Sequence, residues 1–270
     1  MQKIDEIIQG FLRDLNCDIV LNMSKSIKTG KKLRSKLILS ISGENEESYK
    51  LCAIIELIHL ASLLHDDIVD DAKLRRGARS VNSEFGTKNA LMLGDIFYSK
   101  AFSELVGFGK KISQLIADSV SKLAIGELMD IELSKNFNAD KSLYLDMIYN
   151  KTAVLIEASA RSAAILASLD EVSFKDYGKN LGLAFQMIDD ILDISSDEKT
   201  LGKAAMSDFK EGKSTLPYIY LYEALDDKNI LLDFFKKDLN DIEKKSLLDE
   251  FNKHGILEKS KKEALSYGNK

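Results

Sequence analysis

Residues 63–77 read LLHDDIVDDAKLRRG and close the apolar run LCAIIELIHLASLL of residues 51–64. That run is apolar at nearly every position, so as a helix it must bury most of its circumference. It ends instead on Asp66, Asp67, Asp70 and Asp71, and Arg75 and Arg76 follow directly. A core helix that finishes in four carboxylates and a basic loop points to long helices whose chemistry stands at their ends.

The same helical period extends outward from this stretch. Ile4, Ile7, Ile8, Phe11, Leu12 and Leu15 recur at helical spacing, and the pattern continues through 31–41, 47–71, 88–107, 112–134, 142–169 and 174–195. Pro217 is the one proline in the chain, so little interrupts these runs. No segment shows strand alternation. TAVLIEASARSAAILAS (152–168) is apolar on more than one side, which predicts central helices surrounded by others. Two loops break the pattern, at 72–87 and 198–213; both are rich in glycine and in lysine or arginine, and both follow an acidic helix end. From Asp226 onward the chain is charged and amphipathic, as peripheral helices are. The expected fold is all-α, a single large helical domain over residues 1–270.

Composition removes several classes of function. The chain has 270 residues, 45% of them hydrophobic, enough for a sizeable core. Its 38 lysines and arginines against 43 acids leave a net charge of -5, without the basic footprint that nucleic acid requires. Cys17 and Cys52 are too few for a disulfide framework or a zinc site; they read as small hydrophobes in a reducing cytoplasm. The first sixteen residues, MQKIDEIIQGFLRDLN, carry acids within the apolar segment and resemble neither signal peptide nor anchor. No run reaches the roughly 18 uncharged apolar residues of a membrane span.

The acidic motif has a second copy. FQMIDDILD (185–193) places Asp189, Asp190 and Asp193 in the same D-D-x-x-D arrangement after another apolar run. Residues four apart project from one helix face, so Asp66 with Asp70, and Asp189 with Asp193, each present two carboxylates about one turn apart. Two such helices facing each other would wall a cavity with like charge, and divalent cations are the natural compensation. Oxygen ligands without His or Cys favour magnesium, which keeps waters and bridges to phosphate. One such motif alone would read as a solvated helix end; two, each followed by a basic loop, point to chemistry. Lys31 and Arg34, Arg75 and Arg76, Lys151, Lys203 and Lys213 each read singly as surface cations. Beside two acidic walls they suggest a pocket for two polyanionic substrates.

These segments resemble the trans-type polyprenyl diphosphate synthases. ELIHLASLLHDDIVDDAKLRRG (56–77) is similar to that family's first aspartate-rich motif and FQMIDDILD to its second. GKKLR, NKTA and DFKEGKSTLP correspond to its other signatures in the right order, over roughly residues 28–220, and FGTKNALMLGDIFYSKAF (85–102) is most like the long-chain, octaprenyl members. The resemblance implies the isoprenoid synthase fold and a head-to-tail condensation of isopentenyl diphosphate onto an allylic diphosphate, with farnesyl diphosphate the expected primer. It implies that Asp66 and Asp70 hold two magnesium ions and Asp189 a third, supported by Asp67, Asp190 and Asp193. Lys31, Arg34, His59 and Arg76 align with the isopentenyl diphosphate site. Arg75, Lys151, Thr152, Gln186 and Lys203 align with the allylic diphosphate site, with Lys213 close by. The departing pyrophosphate is the expected proton acceptor, so no side-chain base is assigned. A homodimer, a cytoplasmic location and peripheral membrane contact for product release are further expectations. Thr29, Ser35 and Asp130 depart from the family pattern, which usually has glycine, proline and glutamine there, and the terminal segment KKEALSYGNK is reduced.

Five and four residues before Asp66 stand Ala61 and Ser62, one turn deeper in the helix. Large aromatics at these positions block chain growth in this family, so two small residues predict a long product, octaprenyl for a quinone tail. A farnesyl or geranylgeranyl synthase is the alternative, and a non-catalytic subunit of a heteromeric synthase is another. ELIH (56–59) is also the Glu-x-x-His of di-iron bundles, but those need a second copy, and Ser62 precedes His65 while Phe251 precedes His254. A terpene cyclase would replace the second acidic motif and would not need the cations of GKKLR.

Overall fold

The computed structural model describes residues 1–195 and 206–269. They form two compact units: Met1–Ser121 with Leu155–Asp176, and Lys122–Val154 with Tyr177–Lys270. Among the described residues no helix is long and apolar enough to cross a membrane.

The first unit is organised around α4 (Glu46–Val69). Asn45 starts it, its side chain accepting the Ser48 N–H at 2.8 Å, and Glu46 and Glu47 place negative charge in the first turn, where the helix dipole favours it. Every residue from Leu51 to Ile58 is buried, so α4 is enclosed on all sides. The helices α1 (Gln2–Arg13), α3 (Leu33–Ser42) and α6 (Thr87–Leu105) pack against it. The α1 stripe of Ile4, Ile8, Phe11 and Leu12 supplies one wall, and α2 (Asp18–Ser24) follows it. α6 approaches α4 closely at Gly94, where a Cβ would lie 2.3 Å from His65 Nε2. α7 (Gly109–Leu133) begins in this unit, and α9 (Val154–Leu166) fills it with small residues, Ala158, Ala160, Ala163 and Ala164 all being buried.

Among the described residues, the loop after α4 holds the one departure from an all-helical reading. Leu74–Arg75 (β1) and Ala78–Arg79 (β2) pair antiparallel around a turn with Arg76 and Gly77 both at positive φ, and α5 (Val81–Phe85) follows. Two-residue strands are too short to show alternation, and a tight hairpin of this kind needs two left-handed residues at its tip.

The second unit packs α8 (Lys141–Ile148), α10 (Glu171–Ser195), α12 (Leu216–Ala224), α14 (Asp241–Lys253) and α15 (Ile256–Gly268) around an aromatic core. Two short helices, α11 (Ser207–Lys210) and α13 (Asn229–Leu232), join them. Phe209 stacks on Tyr218 at 4.1 Å, and Phe251 meets Tyr218 edge-on at 5.3 Å. Pro217 lies in the first turn of α12, where a missing N–H costs nothing. Of the terminal segment, KKEALSYG (261–268) belongs to α15, and Glu263 within it takes Lys141 at 2.6 Å and accepts the Tyr220 hydroxyl.

The expected helix over 142–169 is helical to Leu166, where α9 ends, but not uniform. Tyr149–Ala153 forms a π turn between α8 and α9. Backbones from both sides press on it: a Cβ at Gly126 of α7 would lie 2.2 Å from the Lys151 nitrogen, and one at Gly182 of α10 would lie 2.5 Å from Ala153 Cα. Such π turns concentrate at functional sites because the wider turn re-aims its side chains, and here the side chains are Lys151 and Thr152.

Candidate active site

In the first unit, α4 ends at Val69, so Asp66 stands in its last turn and Asp70 just beyond, its N–H bonded to the Asp66 carbonyl at 2.9 Å. Carboxylates at a helix C-terminus oppose the helix dipole. Their presence there works against the helix, and a cation joining them would offset that cost. Asp66 is half-buried and Asp70 and Asp71 are exposed. Asp67 turns the other way, into the protein, where it is 4% exposed and accepts Arg75 Nε at 2.7 Å. Burial pushes the Asp67 carboxyl up, and Asp70 adds to that push, while Arg75 opposes it. Asn82 donates to the Asp67 carbonyl at 3.0 Å, so this residue fastens the hairpin to the helix end.

A cationic cluster lies one to three turns deeper along α4. His59 is half-buried and its imidazole is held well below its ordinary pKa by burial and by the charges of Arg34, Arg76 and Arg75. Burial likewise lowers Arg34, helped by Arg76 and opposed by Glu56. Arg34 Nε is buried without a hydrogen-bond partner among the described residues. Arg76 donates to the Lys28 carbonyl at 2.7 Å and lies over Gly30, where a Cβ would meet its guanidinium at 2.5 Å. The glycine of GKKLR therefore leaves room for the arginine of RRG to lie in this place. Lys31 is exposed, whereas Lys32 is buried and pairs with Asp5 of α1. Two guanidiniums and a neutral imidazole with an unsatisfied donor form a ready receptor for phosphate oxygens.

Sequence reasoning missed the anion inside this cluster. Glu56 is 6% exposed and accepts the Ser35 hydroxyl at 2.6 Å; Ser35 is fully buried, and Cys52 Sγ lies 3.5 Å from its carbonyl. Ser35, which looked like a departure from the family pattern, thus anchors a buried carboxylate. Burial pushes the Cys52 thiol up to about 12, as expected of a small hydrophobe rather than a reactive thiol.

In the second unit, α10 carries the second motif. Asp189 is exposed, but Asp190 and Asp193 are 3% and 2% exposed. Asp190 accepts Tyr144 Oη at 2.6 Å and Gln186 Nε2 at 2.9 Å, and Thr152 donates to Gln186 Oε1 at 2.7 Å. Burial and the charge of Asp208, with a smaller push from Asp189, raise the Asp190 carboxyl to about 8 against those hydrogen bonds. Asp193 accepts the Ser207 hydroxyl at 2.9 Å and the Asp208 N–H at 3.2 Å, so it caps the start of α11. Asp189 and Asp193 therefore do not share an open face as their four-residue spacing predicts; α11 packs over one of them. Lys151 pairs with Asp130 and Glu127, and Lys213 with Glu211 at 2.6 Å. Lys203 lies outside the described residues.

The two residues expected to set product length fall in the first unit. Ala61 is fully buried in α4, and Ser62 is half-buried with its hydroxyl turned back to the His59 carbonyl at 2.9 Å.

The donor set fits a hard divalent ion: oxygens only, at two helix ends. Among the described residues no three His, Cys, Asp or Glu side chains enclose a metal by themselves, and magnesium takes the balance of its ligands from water and phosphate.

The polyprenyl synthetase family model matches residues 18–251. The chain is 37% identical over 239 residues to a short chain isoprenyl diphosphate synthase of Methanothermobacter thermautotrophicus, covering 83% of this chain and 74% of the relative. It is 32% identical over 240 residues to the octaprenyl diphosphate synthase of Escherichia coli, covering 82% and 74%. Among solved structures it superposes on the octaprenyl pyrophosphate synthase of Helicobacter pylori with a TM-score of 0.93 and 43% identity, covering 98% of this chain and 90% of that one. A polyprenyl synthase of Caulobacter crescentus, solved with calcium and isoprenyl diphosphate, matches at a TM-score of 0.81 and 27% identity, covering 98% and 88%.

Proposed function

The chain belongs to the polyprenyl synthetase family of trans-prenyltransferases, with its all-α isoprenoid synthase fold, and from that premise we propose that it condenses isopentenyl diphosphate head-to-tail onto an allylic diphosphate, farnesyl diphosphate for preference, to build a long all-trans chain. The observation that carries the reading is the acidic end of α4, where Asp66 and Asp70 stay accessible beside a hairpin that presents Arg75 and Arg76. Magnesium is the metal this donor set suits, held by Asp66 and Asp70 in the first unit and by Asp189 in the second, three ions in all. When bound, such ions supply Lewis-acid neutralisation of the charge on a departing diphosphate.

The side chains divide the remaining work. Arg34, Arg76 and His59 bind the isopentenyl diphosphate through its phosphate oxygens, with Lys31 at the exposed edge. His59 enters as a neutral donor, because burial, reinforced by the arginines around it, keeps the proton off its second nitrogen. Lys151, Thr152 and Gln186 bind the allylic diphosphate, with Lys213 near them and Lys203 assigned by its motif alone. Asp67, Asp190 and Asp193 hold the framework. Apolar residues exclude water from the carbocation formed when the allylic C–O bond breaks. The isopentenyl alkene carbon then forms the new C–C bond, and the released pyrophosphate takes the proton.

Ala61 and Ser62 support a long product, octaprenyl for a quinone side chain, and so does the likeness to two octaprenyl synthases. The likeness to a short-chain synthase favours a second reading, a farnesyl or geranylgeranyl product. We further assign a homodimer that contacts the membrane only peripherally. Incubating the purified protein with farnesyl diphosphate, labelled isopentenyl diphosphate and magnesium, then sizing the dephosphorylated products, decides between these. Six or more isoprene units, abolished by EDTA, is the expected result. A product of three or four units overturns the long-chain assignment, and no condensation by the purified protein overturns the homomeric enzyme.

A further inference from the structure

Lys151 is committed before any substrate arrives. Its ammonium lies 2.5 Å from Asp130 Oδ2 and 3.0 Å from Glu127 Oε2, and Asp130 is 6% exposed. This is not a surface pair free to part. α7 carries both carboxylates, and at Gly126 its backbone meets the backbone of the π turn so closely that no Cβ fits between them. The separation of the two elements is therefore fixed, and Asp130 and Glu127 reach Lys151 from one side. Lys213 acts on the same group: its charge opposes the protonation that Asp130 and Glu127 favour. Lys213 also lines, with Asp130, Tyr144 and Ser214, a small recess of the second unit.

An ammonium has three N–H donors. Two carboxylates take two of them and leave one for a ligand. They also outnumber the lysine in charge, so an incoming diphosphate must compete with Asp130 and Glu127 for the charge of Lys151. In a partly buried cluster that pairing is poorly screened. A chain-elongating enzyme gains from this arrangement, because every round must expel a pyrophosphate, and a lysine with no competitor would hold it.

We propose that Asp130 is a positioning residue that sets the affinity for the diphosphate group, fixing Lys151 with one donor direction open and competing with the ligand for its charge so that pyrophosphate leaves between rounds. The inference rests on the reading of Lys151 as a diphosphate ligand, and the test separates the two. Inorganic pyrophosphate with magnesium is titrated calorimetrically into the full-length wild type, Asp130→Asn, Lys151→Ala and the double variant. Lys151→Ala should weaken binding about tenfold, and Asp130→Asn should tighten it about fivefold. In the Lys151→Ala background, Asp130→Asn should change affinity less than about twofold.

In steady state, Asp130→Asn should lower KM for farnesyl diphosphate and lower kcat, with KM for isopentenyl diphosphate unchanged; a general packing defect would not split the constants this way. Glu127→Gln, at the longer contact, should move the same constants in the same direction by less, and it serves if Asp130→Asn does not fold. Unchanged binding by Lys151→Ala would overturn the ligand reading. Weakened binding by Lys151→Ala together with unchanged or weakened binding by Asp130→Asn would overturn the competition alone, as would equal tightening by Asp130→Asn in both backgrounds.

Discussion

The two aspartate-rich helix ends share one spacing and fold differently. At the end of α4 only the second acid, Asp67, is buried; Asp66 and Asp70 remain accessible. At the end of α10 the second and the third are both buried, and only Asp189 is exposed. What covers the third acid makes the difference. Asp70 falls after the helix has ended and a hairpin leads away, whereas Asp193 lies inside α10 and caps α11, which returns over it. Equal motifs need not do equal work: the first end offers two carboxylates to a cation and the second offers one, and this asymmetry supports the assignment of two ions to one helix and a third to the other.

The comparison breaks most sharply on activity. On the proposed reading, Asp66→Asn or Asp70→Asn should cost about a thousandfold in kcat, since each removes a carboxylate charge assigned to the metal beside the leaving group. Asp189→Asn should cost less, about a hundredfold. Equal losses at all three positions in a magnesium titration would erase the distinction.

Asp193→Ala should act on stability instead. Alanine offers no acceptor to the Ser207 hydroxyl or the Asp208 N–H, so the bonds that hold the start of α11 are lost, at least about 1–2 kcal/mol in urea unfolding. The residual activity of correctly folded protein should exceed that of Asp189→Asn.

The last test concerns Asp190. Its carboxyl is raised to about 8 in the folded protein against an ordinary value of 3.8. The folded state therefore holds the proton more tightly, so this group's contribution is complete below the ordinary value. It is lost progressively as pH rises toward about 8, and is flat beyond. Metal-free wild type should lose melting temperature between about pH 5 and 8, while Asp190→Asn, which cannot ionise, should lose less. Parallel curves would mean that Asp190 ionises freely and is solvated.

Much of this was legible in the residues. A period of 3.6 sustained over long runs, with one proline, specifies helices whatever packs on them, and the seven expected runs are helical apart from a few residues at their ends. The acid spacing and the order of the basic segments are local facts too, and they named Asp66, Arg34, Arg76 and Lys151 as candidates before any geometry. Two-residue strands carry no period, so the hairpin was invisible, and a π turn differs from an α turn only in register. Glu56 was legible only as half of a metal motif, because its partner Ser35 stands 21 residues away.

The sequence by itself determined the helices, the acidic ends and the cations, because each depends on neighbours within a turn or two. Only tertiary structure decided which acid faces inward, that Asp130 holds Lys151 across 21 residues and that Gly30 admits Arg76. Burial and charge pairing belong to whichever surface packs over a side chain, and no spacing along one helix records what that surface will be.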